Sequence, residues 1–122
     1  MKVLVHHIYE YKKGVRHLVL HTLNAACRDR AESKLQQQDI SYVIQEVTSS
    51  KINVFFGDLD CVNIVRELGV ENKKLNELTS EEDFMLGTML GYNCLQQCQR
   101  YLQQKKQEHN FLVKILSQKK AG

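Results

Sequence analysis

Four histidines near the start of the chain, His6, His7, His17 and His21, are the first residues whose types could do chemistry. Neutral imidazoles gathered with a carboxylate such as Glu10 would suit zinc or a similar ion, provided that two neighbouring strands bring His7, His17 and His21 to one sheet face. Their spacing matches no known ligand motif, no H-E-x-x-H or paired C-x-x-C accompanies them, and exposed or hydrogen-bonded sheet histidines explain them equally well. No metal is expected. Cys94 and Cys98 stand four apart and share one face of any helix that contains them, where two thiolates could take a soft metal or undergo redox chemistry. Met85 and Met89 on the same stripe favour the plainer role of small buried hydrophobes. The densest polar group is His6, His7, Tyr9, Glu10 and Tyr11, with two imidazoles, two phenols and a carboxylate within six residues. Such density is commoner in binding sites than in cores, and these five are the candidate binding residues.

Familiar catalytic arrangements are missing. There is no G-x-S-x-G, no Cys-His family signature, and no Walker or dinucleotide glycine pattern. The junction at Gly57 and Asp58 could offer free N–H groups to an anion, but Asp58 and Asp60 put negative charge there and suit a helix cap better. No catalytic residue and no cofactor is assigned.

The elements that must position these residues follow from periodicity. Val3 to Ile8 alternates and reads as a strand, Tyr9 to Gly14 turns, and His17 to Thr22 alternates again as a second strand pairing with the first, with a helix as its rival. Asn24 suits an N-cap for a helix over residues 25–38. Ile40 to Val47 and Lys51 to Phe56 are β-rich runs joined by Thr48, Ser49 and Ser50, the clearest hairpin in the chain. Asp58 or Asp60 can cap a following helix with Val62, Ile64, Val65 and Leu68 as its apolar stripe, stopped by Gly69. Thr79 with Glu82 forms a capping box for a helix reaching about Gln107, whose inward face would hold Phe84, Met85, Met89, Cys94, Leu95, Cys98, Tyr101 and Leu102. The sum is an α+β fold: a two-layer α/β sandwich, its small, mostly antiparallel sheet covered on one side by helices, with a long C-terminal helix.

At 122 residues, 43% hydrophobic and 25% charged, the chain suits one globular domain. We place that domain at residues 1–104, with a basic C-terminal extension at 105–122. No apolar run approaches the ~18–20 residues of a membrane span, and no signal peptide is read in MKVLVHHIYEY, so a soluble cytoplasmic protein is expected. The four cysteines show no disulfide framework. Residues 100–122 carry six Lys or Arg against Glu108, a net +5, and the rest of the chain is −2. Without a reader motif this basic segment does not point to nucleic acid.

Three strings are familiar: HHIYEYKKG (residues 6–14), KINVFFGD (51–58) and LTSEEDFMLGTMLGYNCLQQCQRYL (78–102). They resemble the bacterial domain-of-unknown-function family number twenty twenty-three, over nearly all of residues 1 to about 103. The resemblance implies a compact α/β domain that forms a homodimer, has no established activity and is associated with flavodoxin genes as chromosomal neighbours. A homodimeric protein-interaction or regulatory module is therefore the leading expectation. The alternative is a metal- or redox-dependent accessory protein acting with flavodoxin, which would meet the +5 segment electrostatically.

A helix from Thr79 to about Gln107 would extend ~40 Å, beyond the roughly 35 Å diameter of a globule this size, so it should overhang or break. Gly87 and Gly91, four apart, with Met85 and Leu90 beside them, are the candidate dimer interface, where a second copy could approach closely. The competing possibility is a kink at Gly91 that folds the second half back on its own chain.

Overall fold

The computed structural model describes residues 1–121. In chain order the elements are α1 (Lys2–Lys12), β1 (Leu18–Asn24), α2 (Arg28–Gln37), β2 (Ser41–Glu46), β3 (Lys51–Gly57), α3 (Leu59–Glu67), α4 (Ser80–Met89) and α5 (Cys94–Ala121). β3 lies between β1 and β2 and pairs antiparallel with both. The fold is α+β, with an antiparallel sheet and a long C-terminal helix.

The expected first strand is a helix. Leu4, Ile8 and Tyr11 recur at i, i+4 and i+7, so α1 buries Leu4 and Ile8 and rests Tyr11 edge-on against Phe56, leaving Val3 and Val5 in solvent. The second strand forms as expected but pairs with β3. Asn24 accepts from the Ala26 amide at 2.9 Å and caps a 3₁₀ turn, Ala25–Cys27, that leads into α2. The β2–β3 hairpin is as expected, its turn held by Thr48 Oγ1, which accepts from the Ser50 and Lys51 amides.

Both faces of the sheet are covered, so the molecule has three layers where two were expected. Side chains alternate along a strand. Val19, Leu23, Ile52, Val54 and Phe56 point to one face, beneath α1 and α2. Leu18, Val43 and Phe55 point to the other, beneath Val62 and Val65 of α3 and Leu86 of α4. Asn53 and Gln45 continue this second face as a polar row, in which Thr22 donates to Asn53 at 2.6 Å, Asn53 to Gln45 at 2.8 Å and Gln45 to the Lys73 carbonyl at 2.9 Å. Each buried amide group is thereby given a partner, as burial demands.

The helix expected from Thr79 to about Gln107 breaks at Gly91 into α4 and α5. Gly91 sits at φ +78°, its amide donates to the Thr88 carbonyl and that of Tyr92 to the Gly87 carbonyl. These two bonds are the glycine-terminated helix stop described by the Schellman motif, and Asn93 Oδ1 then accepts from the Gln96 amide to start α5. The chain reverses, and α5 returns alongside α4. Of the expected inward face, Met85, Cys94, Leu95 and Leu102 are exposed. The stretch 105–121 is the uninterrupted continuation of α5.

Candidate functional site

The polar N-terminal group falls into two neighbouring clusters, because a helix turns consecutive side chains about 100° apart. In the first, Glu10 lies among cations and imidazoles: His6 Nε2 is 3.0 Å from Oε1, His7 Nδ1 3.9 Å from the same oxygen, and Arg16 Nε 3.7 Å from Oε2. The His7 ring stands 5.0 Å from that of His21 on β1, centroid to centroid. In the second, Asp58 is shared: Tyr11 donates to Oδ1 at 2.9 Å, and His17 Nδ1 lies 2.7 Å from Oδ2. Tyr9 joins neither and stands exposed beside Lys13, whose ammonium is 5.3 Å from the ring centre.

His17 therefore does not share a face with His7 and His21; it lies just before β1 and turns to Asp58. Among the described residues no group of three or more His, Cys, Asp or Glu is disposed to hold a metal ion. Asp58 precedes α3 but makes no side-chain cap; its carboxylate is held below the usual range by hydrogen bonds from His17 and Tyr11. The residues that sequence reasoning missed here are Arg16, His17 and Asp58 as partners of the N-terminal group. The one local signal was Gly57, whose φ of +151° lets β3 pass so close to the His17 carbonyl that the Asp58 amide donates to it at 2.9 Å.

Burial, then Arg16, holds the His7 imidazole below its ordinary value despite Glu10. Burial, then His7 and the amino terminus, lowers that of His21. A group whose folded pKa is depressed is protonated first in the unfolded chain, so stability present above the ordinary imidazole value of about 6.5 is lost as pH falls from there toward the folded values. Unfolding free energy measured by urea titration should fall between about pH 7 and 5. The change should be smaller in a His21→Gln variant. An equal fall in the variant would mean that His21 plays no part in it.

The second candidate surface is the outer side of α4 and α5. Arg100 makes a two-pronged bond to Asp83, at 2.7 and 3.2 Å, Lys105 lies 3.0 Å from Glu81, and Glu108 accepts from Ser80. These contacts dock α5 on α4 from Gln97 to Glu108. Gly87 faces Gln97 of α5, and a Cβ there would lie 2.0 Å from the Gln97 Oε1. Leu90 is buried in the α3–α4 core. Of the four residues read as a dimer interface, Gly87 and Leu90 thus serve the chain's own packing, Gly91 ends α4, and Met85 stays exposed. Met85 lines an apolar groove of about 490 Å³ with Phe84, Cys98, Tyr101, Leu102 and Glu81.

A comparison with curated proteins finds no match to this chain. The model of one family, described as "Protein of unknown function (DUF2023)", matches residues 2–104. The match spans α1 to the middle of α5, and the chain belongs to that family.

Proposed function

We propose that this chain is a homodimeric protein-interaction or regulatory module of the cytoplasm, and that it works through the outer faces of α4 and α5. The observation that carries the reading is the exposed apolar surface there. Met85, Leu95, Leu102, Leu112 and Leu116 are all exposed along one side of two adjoining helices. Scattered exposed hydrophobics are normal on any protein, but a contiguous strip of this kind marks an interaction surface. The clusters around Glu10 and Asp58 supply polar groups for a further contact, and the unpaired state of all four cysteines suits a reducing compartment.

Flavodoxin is the partner we propose for the basic side of α5, where Lys106 and Lys114 project. A redox role for the chain itself is less well supported. Burial, then Cys94, pushes the Cys98 thiol up, away from a reactive thiolate. Sedimentation equilibrium at micromolar concentration tests the main reading. Twice the chain mass is expected, and the mass of a single chain overturns it.

A further inference from the structure

Beyond the last hydrogen bond to α4, which Glu108 accepts from Ser80, α5 continues from residue 109 to 121, about 20 Å at 1.5 Å per residue. Among the described residues, the large apolar side chains of this overhang other than Ile115 stand mostly in solvent: Phe111 is 63% exposed, Leu112 58% and Leu116 57%. Leu112, Val113 and Leu116 lie within about 100° of one another around the helix and expose apolar area on the order of 300 Å², a patch size that on a monomer marks an interaction site, while Phe111 opens to another side. The same helix exposes Leu95 and Leu102 at 66% and 64% next to the groove. Helical periodicity places Cys98, Leu102, Lys105, His109, Leu112 and Leu116 in one strip about 80° wide, spaced alternately by three and four residues as in a coiled-coil seam.

We infer, resting on the dimeric reading above, that two copies pair through antiparallel α5 helices, the overhang of each lying in the α4–α5 groove of the other. The seam has one register that matches apolar to apolar. With the two-fold axis near residue 107, Leu102 meets Leu112, Cys98 meets Leu116, and Lys105 meets His109 in a central polar layer of the kind that specifies register. Both apolar layers form twice, once on each side of the centre. Ile115, half-buried and on the α4-facing side of α5, then lies toward Phe84 and Met85 of the other copy.

Area decides between this arrangement and a parallel one. Overhang against overhang alone covers on the order of 600 Å², within the range of incidental contacts. The reciprocal insertion also covers Met85, Leu95 and Leu102 and reaches on the order of 1,200 Å² or more, the size of a stable interface. A parallel pair would further set Lys105 against Lys105 of the other copy, a like-charge contact in the seam.

A Leu116→Cys chain tests the register with the natural Cys98 as its counterpart. The substituted position is exposed and should not disturb folding, which circular dichroism checks. A short thiol–thiol cross-linker should yield covalent dimer at least ten-fold above a Lys114→Cys control, and peptide mapping should find the link at Cys98. Linkage between two copies of the substituted position, or to Cys94, overturns the antiparallel register. A wild type that sediments as a dimer while the variant gives no cross-link also overturns this register and leaves the dimer standing. A monomeric wild type overturns both.

Discussion

Replacing Gly57 by alanine is expected to cost roughly 3–4 kcal/mol, placing it among the most disruptive single substitutions a protein tolerates. A Cβ at this position would stand 2.1 Å from the His17 carbonyl oxygen and 3.0 Å from Leu18 Cα. Both are backbone atoms, which cannot rotate away as a side chain can. The backbone also sits at φ +151°, a conformation that L-residues rarely adopt. Relief would require β1 to separate from β3 at the Leu18–Gly57 pair and the Asp58 amide to give up His17, and the cluster around Asp58 would open with it. A fall in melting temperature of about 10 °C or more should follow. A Gly14→Ala variant is the comparison: its φ is also positive, at +79°, but its Cβ would meet nothing within 4 Å, so only the backbone term of about 1 kcal/mol remains. Equal losses in the two variants would show that the close approach at His17 is not what Gly57 provides.

Phe55→Ala and Phe56→Ala should each cost about 3–5 kcal/mol, and by similar amounts. The two residues are adjacent and fully buried, yet they face opposite cores: Phe55 packs with Val62, Val65 and Leu86, and Phe56 with Leu4, Ile8 and Leu35. For 122 residues the total stability is on the order of 6–18 kcal/mol, so either substitution removes a large share of it. Urea unfolding curves measure both. The comparison tests the layering directly, because a sheet covered on one side would leave one of the two phenylalanines in solvent, where its loss costs little. A cost below about 1 kcal/mol for either would return the molecule to two layers.

The parts of this fold legible from sequence are those in which a local signal agrees with the final structure. The β2–β3 hairpin is one, since β-branched and aromatic runs bracket a short Thr-Ser-Ser turn. The capping box is another: Thr79 Oγ1 accepts from the Glu82 amide at 3.1 Å, and Glu82 accepts from the Thr79 amide at 3.0 Å. The termination of α3 at Gly69 is a third. Two further local signals are present, each set against a stronger opposing pattern. Lys12, Lys13 and Gly14 form a helix stop, with basic residues in the last turn and a glycine at φ +79° whose amide donates to the Tyr11 carbonyl. The same glycine pattern at Gly91, followed by the capping Asn93, ends α4. In each case a competing periodicity, the alternation of Val3 to Ile8 or the unbroken helical composition across residues 80–107, pointed the other way.

The candidate sites divide along the same line. Sequence by itself determined only that His6, His7, Tyr9, Glu10 and Tyr11 crowd into six residues; that His6 and His7 meet Glu10 follows from α1 being a helix where a strand and a turn were expected, because residues three and four apart share a helix face. Only the tertiary structure decided that Tyr11 would turn away to Asp58, 47 residues on, and meet His17 there. That meeting depends on β3 passing against the start of β1, a long-range pairing with no local trace except a glycine. Likewise the apolar composition of α5 is plain in the sequence, but its exposure is not. Whether Leu102, Leu112 and Leu116 lie in a core or in solvent depends on where the chain reverses and how far its partner helix reaches; α4 spans ten residues and α5 twenty-eight, and the surplus length is what leaves an apolar helix without cover.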